Sequence, residues 1–151
     1  MPARLSVLRL TVRAGRIEAD VEVSPPGARS TPELARAVLA SFPRVGDHAC
    51  VNGKGRRFSD VMEDTPLPHV LEHLVVELQA RAFADREGAG RVFTGTSEWE
   101  DGRRRRARVQ VSFADDLTAL RAFRDATAFL NGALAEGGAA GLRRPDVQCD
   151  D

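Results

Sequence analysis

Covalent staples are almost absent from this chain. Its 151 residues include two cysteines, Cys50 and Cys149, which cannot build a disulfide framework, and Cys149 falls in a C-terminal stretch without clear patterning. An excess of one charge is absent too. Lys and Arg total 22 and Asp and Glu total 22, so whole-chain charge gives no reason to expect nucleic acid or an anionic membrane as partner. Tyrosine is missing and Trp99 is the single tryptophan, so few aromatics interleave with the arginines as base-stacking platforms would. The apolar runs are far too short to span a bilayer, and the N-terminus lacks the basic-then-apolar layout of a signal peptide. The cytoplasm is therefore expected. Lysine is reduced to Lys54 while alanine is abundant, a bias that suggests a GC-rich bacterial genome. What remains is 42% hydrophobic and 29% charged, ordinary for one soluble domain large enough to bury a core.

The order of elements follows from periodicity and punctuation. "ARLSVLRLTV" alternates through Leu5, Val7 and Leu8–Leu10, and "RIEADVEVS" through Ile17, Ala19, Val21 and Val23. They predict two half-buried strands joined by a hairpin turn at "RAG". "SPPGARS" is a loop. Thr31-Pro32-Glu33 opens a helix with a cap, a first-turn proline and an acid on the dipole; Leu34, Val38 and Leu39 form its apolar stripe, and Pro43 stops it. Thr65-Pro66 repeats the start signal for a second helix reaching about Phe83. "GRVFTGTSEW" and "RRARVQVSFAD" predict two more strands, with a hairpin signal at Asp101-Gly102. A long helix follows, with Leu117, Leu120, Phe123, Ala128 and Leu134 facing a core. The ββα-ββα order predicts an α+β fold, a four-stranded and mostly antiparallel sheet with helices packed on one face. The expected domain covers residues 1–136, and residues 137–151 are expected to form a flexible tail.

The second helix carries the chemistry. Within "TPLPHVLEHLVVELQ", Leu67, Leu71, Leu74, Leu78 and Ala82 line one face at helical spacing and should meet the sheet. His69 and His73, four apart, lie one turn above each other with Glu72 beside them and Glu77 a turn further on. That polar stripe is expected to point away from the core. Two imidazoles so spaced can share a zinc ion, and a carboxylate between them can take a proton from water that the ion has acidified, as in the inverted zincin signature H-x-x-E-H. A third ligand is needed, and Glu77, His48 and Cys50 are the candidates. An ordinary polar helix face would show similar residue types. Against that, His48 and Cys50 lie just upstream, and the stripe contains no Arg or Lys in an arginine-rich chain. Val76 sits among its polar groups, so the face should be partly covered, either by the 44–58 loop or by a second subunit in a homodimer. Two imidazoles with an adjacent carboxylate make zinc the expected ion, with manganese or iron as alternatives.

Other features carry less. Arg103 to Arg106 could grip carboxylates or phosphates, but the run is better explained as a solvated hairpin tip and charged strand edge. "NGKGRR" does not match a phosphate-binding loop and is expected to fold over the histidine helix, with Phe58 and Met62 packed beneath it. Trp99 belongs to core or interface.

The run "GDHACVNGKGRRFSDVMEDTPLPHVLEHLVVELQ" resembles the N-terminal domain of cyanophycin synthetases. The resemblance is carried by His48-Ala-Cys50, Gly53 to Phe58, His69-Val-Leu-Glu72-His73 and Glu77-Leu78-Gln79. It continues weakly through "VFTG" and "ARVQVSFADD" and covers about two-thirds of the chain. In that family the domain is joined to ATP-using ligase modules and holds a metallopeptidase-like site acting on a polymer of aspartate and arginine. Its helix motif is similar to that of pitrilysin-type peptidases and of S-ribosylhomocysteine lyase. The resemblance implies zinc on His69 and His73 with Glu72 as base. Two departures stand out. "TGTSEW" replaces the family's arginine-bearing segment after the third strand's "F-G", which points away from that particular polymer, and Pro68 replaces a glycine before the first histidine. Ligase modules are not found, so a stand-alone relative is expected. The leading expectation is a zinc-dependent hydrolase of a peptide, isopeptide or amide bond in a small substrate. The other is a non-catalytic binding or regulatory domain serving a separate ATP-dependent ligase. Neither calls for nucleic acid or a membrane.

Overall fold

The computed structural model describes residues 2–50, 57–84 and 92–150, with side chains described as far as Gly137. Most of the expected "NGKGRR" loop and the start of the third predicted strand, Gly90 and Arg91, lie outside the described residues.

Alternation builds the sheet. β1 (Arg4–Arg13) and β2 (Arg16–Ser24) pair antiparallel with Arg13 opposite Arg16. The Ala14-Gly15 turn between them needs a positive φ, and Gly15 supplies +79° without the clash a Cβ would bring. Ile17, Ala19, Val21 and Val23 of β2 are all buried, as are Ala107, Val109 and Val111 of β4 (Arg106–Ser112). β3 (Gly95–Trp99) pairs with β4 and completes an antiparallel sheet in the order β1-β2-β4-β3. β1 departs from the simple alternation. Its register shifts between Val7 and Arg9, so Leu10 returns toward the core and Leu8 is left exposed, as a bulge requires.

Three helices follow the strands. α1 (Pro32–Ser41) starts as its sequence dictates, with Thr31 Oγ1 accepting the Leu34 amide at 3.1 Å. It buries Leu34, Ala35 and Val38, whereas Leu39, expected in the stripe, is exposed. α2 (Leu67–Ala82) packs on β3 and β4, and α3 (Asp116–Asp150) packs on β1, β2 and α2. The α+β architecture is thus as expected, with both helices predicted for the first half present. On α3 the buried residues are Ala119, Ala122, Phe123, Ala126 and Leu130, while Leu117 and Ala128 are exposed. Small alanines let the helix approach closely, so the buried stripe runs through them rather than through the larger leucines. Among the described residues no helix is long and apolar enough to cross a membrane.

One expectation is refined at the sheet's far end and another is corrected at α2. The hairpin expected at Asp101-Gly102 joins β3 to β4, with a loop longer than two residues. Asp101 Oδ1 accepts the amides of Arg105 and Arg106 at 2.9 and 3.2 Å, and the positive φ of the loop, +58°, falls on Arg104. The polar stripe of α2 does not point away from the core. Glu72, His73 and Glu77 are 6%, 4% and 4% exposed, because β3 on one side and residues 48–50 with Phe58 on the other cover them. The wall left open between a loop and a second subunit is therefore supplied by the chain itself.

Candidate metal centre

α2 begins with a division of labour that its sequence does not show. Pro66 occupies the cap position without any side-chain cap, and Thr65, expected to cap, turns its hydroxyl to His69 Nδ1 at 2.9 Å. The Thr65 amide is held in turn by Ser30 Oγ at 3.0 Å, and that hydroxyl donates to the Met62 carbonyl at 2.7 Å. Cys50 arrives from a separate segment. The Phe58 amide donates to the His48 carbonyl at 2.8 Å and Ala49 bridges to Arg57, which draws residues 48–50 across the helix. Phe58 is fully buried. Its ring stacks on His73 with centroids 4.2 Å apart and meets His69 edge-on at 5.1 Å, which fixes both imidazole planes.

These contacts aim three donor atoms at one point. His69 Nε2 lies 3.1 Å from His73 Nε2 and 3.3 Å from Cys50 Sγ, and the ligating atoms of the three residues all fall within 4.8 Å of one another. The remaining nitrogens are engaged in ways that select tautomers. His73 Nδ1 faces His48 Nδ1 at 3.1 Å, and His48 Nε2 faces Glu77 Oε1 at 2.9 Å. His48 can donate from Nε2 to the Glu77 carboxylate and accept at Nδ1. His73 must then donate from Nδ1, which leaves the lone pair of its Nε2 free. Arg81 Nε stands 3.6 Å from the other Glu77 oxygen. Such outer partners are what orient metal-bound imidazoles. Of the candidate third ligands, then, the fold brings Cys50 to the two histidines and sets His48 and Glu77 behind His73.

Electrostatics agree with cation binding. Burial drives His73 down to about 3, with His69 and His48 adding to the effect, and burial lowers His69 as well. Both imidazoles are therefore neutral donors at physiological pH. Burial, with help from Glu72 and Asp60, raises the Cys50 thiol; a divalent ion reverses that shift and takes the thiolate. Zinc imposes distances of its own on such a donor set. A tetrahedral site with bonds of about 2.05 Å to nitrogen and 2.3 Å to sulfur separates its ligands by about 3.3 Å (N to N) and 3.6 Å (S to N). Two of the three separations, 3.1 and 3.3 Å, are shorter by only about 0.2 to 0.3 Å, and the third lies within 4.8 Å, so the donor set can close on the ion through side-chain adjustment.

Glu72 stands beside this cluster, its Oε2 3.8 Å from His73 Nε2. Burial lifts its carboxyl to about 7, opposed by a hydrogen bond from Ser97. Ser97 and Gly95 belong to β3, and Gly95 makes room for Glu72: a Cβ there would lie 2.7 Å from Glu72 Cγ. Neither Ser97 nor Gly95 was singled out by the sequence, where "TGTSEW" registered only as a missing arginine. A cavity of about 900 Å³ opens over the cluster. Cys50, His69, Glu72 and His73 lie in its floor, with Val76, Phe93, Trp99, Arg29 and Arg104 among its other walls. Trp99 is thus a cavity residue as well as a half-buried neighbour of the core.

No curated protein matches the chain. The family model of the cyanophycin synthase-like N-terminal domain matches residues 16–132. That span runs from the start of β2 through the histidine helix and both later strands into α3. Roughly three-quarters of the chain is covered, including every residue of the candidate metal cluster and its outer partners, and the chain belongs to the cyanophycin synthase-like N-terminal domain family.

Proposed function

We propose that this domain is a zinc-dependent hydrolase of a peptide, isopeptide or other amide bond, with His69, His73 and Cys50 holding the ion and Glu72 moving the proton. The observation that carries the reading is the convergence of two imidazole nitrogens and a thiol, with a lone buried carboxyl beside them, on the floor of one open cavity. Zinc held there would polarise the substrate carbonyl and acidify water.

The chain's own residues supply the remainder. Glu72, poised near neutrality by burial, accepts the proton of the attacking water and returns it to the leaving amine. The Ser97 hydroxyl donates to the carboxylate, holding it beside His73 and keeping its pKa from rising further. The His48–Glu77 pair favours the His73 tautomer that offers Nε2, and the Thr65 hydroxyl, which can donate or accept, positions His69 through Nδ1. Phe58 shields their inner face from water.

A purely structural ion would need a fourth protein ligand. Both His48 nitrogens are engaged with His73 and Glu77, and Glu77 is committed to His48, so the geometry favours an open position. Glu72→Gln is the test, assayed on aspartyl and isoaspartyl dipeptide amides with the metal content measured in parallel. Retained metal with turnover reduced by about a hundredfold or more is expected for loss of a general base. Turnover equal to wild type, or no turnover by wild type on any amide, would favour the binding-domain reading.

A further inference from the structure

One guanidinium at the cavity differs from those of Arg105, Arg106 and Arg108. Arg105 and Arg106 lean on Glu22 at 3.7 and 3.5 Å, and Arg108 reaches Asp20 at 3.6 Å and Glu100 at 3.2 Å. Those three charges are spent on carboxylates of the outer sheet face. Arg29, the other arginine lining the cavity, is paired with Asp64 at 2.6 Å and also donates to the Asp64 carbonyl at 3.0 Å. Arg104 lines the cavity too, yet among the described residues its guanidinium has no carboxylate partner.

Its backbone explains where it points. Arg104 has a φ of +58°, a conformation that glycine or asparagine adopts with far less penalty than a long side chain. Three hydrogen bonds hold the surrounding loop in that shape. The Arg104 amide donates to the Asp101 carbonyl at 3.2 Å, the Arg104 carbonyl accepts from Gly27 at 2.8 Å, and the Val23 amide donates to the Arg105 carbonyl at 2.8 Å. The left-handed residue breaks the alternation that would have sent this side chain to the paired outer face. Its aliphatic stem runs instead past Gly27, where an added Cβ would meet Arg104 Cβ and Cδ at 3.8 Å, and the residue, exposed to solvent, lines the cavity.

From this placement we infer that Arg104 is a specificity-determining residue that receives a carboxylate of the substrate in the cavity over the metal cluster. A planar guanidinium fork matches a carboxylate in two parallel hydrogen bonds. The rest of the cavity offers apolar contact from Val76, Phe93 and Trp99, suited to the body of a small acylated amino acid or peptide. The class of ligand is therefore an amide bearing a free carboxylate, either a chain terminus or an acidic side chain. The inference rests on the hydrolase reading for the bond that is cut, but not for the binding itself.

The test separates the two. Trp99 is the only tryptophan and lines the same cavity, so its fluorescence reports occupancy without turnover. Three probes are titrated into wild type: acetyl-Ala-Ala with a free carboxylate, its C-terminal amide, and acetyl-Ala-Asp amide. At least one carboxylate probe is expected to bind about tenfold or more tightly than the neutral amide, the size of a lost charge-assisted hydrogen bond. Which of the two does so distinguishes a chain end from an acidic side chain. Arg104→Gln should abolish the preference, and Arg104→Lys, which keeps the charge without the fork, should retain part of it. Equal binding of all three probes, no saturable signal at millimolar concentration, or a preference that survives Arg104→Gln would each overturn the inference. A clear preference in a protein that cleaves no amide would leave it standing and remove the hydrolase reading.

Discussion

Replacing Gly95 by alanine adds a single methyl group at the back of the proposed general base. That carbon would sit 2.7 Å from Glu72 Cγ, 3.1 Å from Glu72 Oε2 and 3.0 Å from the Gln110 carbonyl oxygen. The carbonyl belongs to β4, and Glu72 is only 6% exposed, so neither neighbour can swing freely into solvent. The side chain of Glu72 has to move, and its hydrogen bond from Ser97 goes with it. Overpacking of this kind costs about 1–3 kcal/mol. In a domain of this size that corresponds to a fall in Tm of roughly 4–8 °C for a cost near 2 kcal/mol. Turnover should fall at least tenfold, since a displaced base forfeits part of the factor of roughly 10² to 10⁴ that general-base catalysis supplies. Thermal melts and amide hydrolysis measured on one preparation provide both numbers. A double-mutant cycle adds the decisive control, because in Glu72→Ala the clash with the new methyl disappears. The Gly95→Ala penalty should then shrink by about 1 kcal/mol, read as non-additivity. Wild-type Tm and turnover in Gly95→Ala, or strict additivity in the cycle, would refute the placement of Glu72 against β3.

Two further outcomes follow from the buried charges. Glu77→Gln removes the carboxylate that sets the His48 and His73 tautomers; zinc affinity in a competition titration should fall about 10- to 100-fold, and an unchanged affinity would remove Glu77 from the site's support. In metal-free protein, His73 is depressed from 6.5 to about 3, so its contribution to stability is present above pH 6.5 and lost as pH falls toward 3. Glu72 is raised from 4.5 to about 7, so its contribution is present below pH 4.5 and lost as pH rises through 7. Between pH 4.5 and 6.5 the Glu72 slope offsets that of His73, and His69, also lowered by burial, adds to the histidine side, which predicts a near-plateau there in denaturant-derived stability. In Glu72→Gln only the histidine slopes remain, and stability should climb by at least about 2–3 kcal/mol across that window, at 1.36 kcal/mol per unit for His73 alone. A plateau that persists in the variant would contradict these assignments.

Local rules made much of this molecule legible. The Thr31 cap, the alternation of β2 and β4, and the apolar seam of α2 through Leu67, Leu71 and Leu74 all form as their residues dictate. Each depends on neighbours in sequence. The parts that were not legible depend on chain segments meeting from afar. Glu77 looked like a third ligand because it is one turn beyond His73, but the loop carrying His48 claims it, and the same loop delivers Cys50. Thr65 reads as a helix cap until Pro66 takes that position and frees the hydroxyl for His69. Ser97 and Gly95 have no signature, since only the pairing of β3 with β4 carries them over Glu72. For Glu77 and Thr65 a short-range pattern singled out the residue and a long-range contact decided its partner; for Ser97 and Gly95 the long-range contact is the whole signal.

Metal content bears on the central claim most directly. Wild type, Cys50→Ala and the His69→Ala/His73→Ala double variant would be purified without chelators, supplied with zinc, desalted and assayed by inductively coupled plasma mass spectrometry. The account predicts about one equivalent of zinc in wild type, a weakened and partly emptied site in Cys50→Ala, and none in the double variant. Wild type that retains no metal, or a double variant that retains as much as wild type, would contradict it.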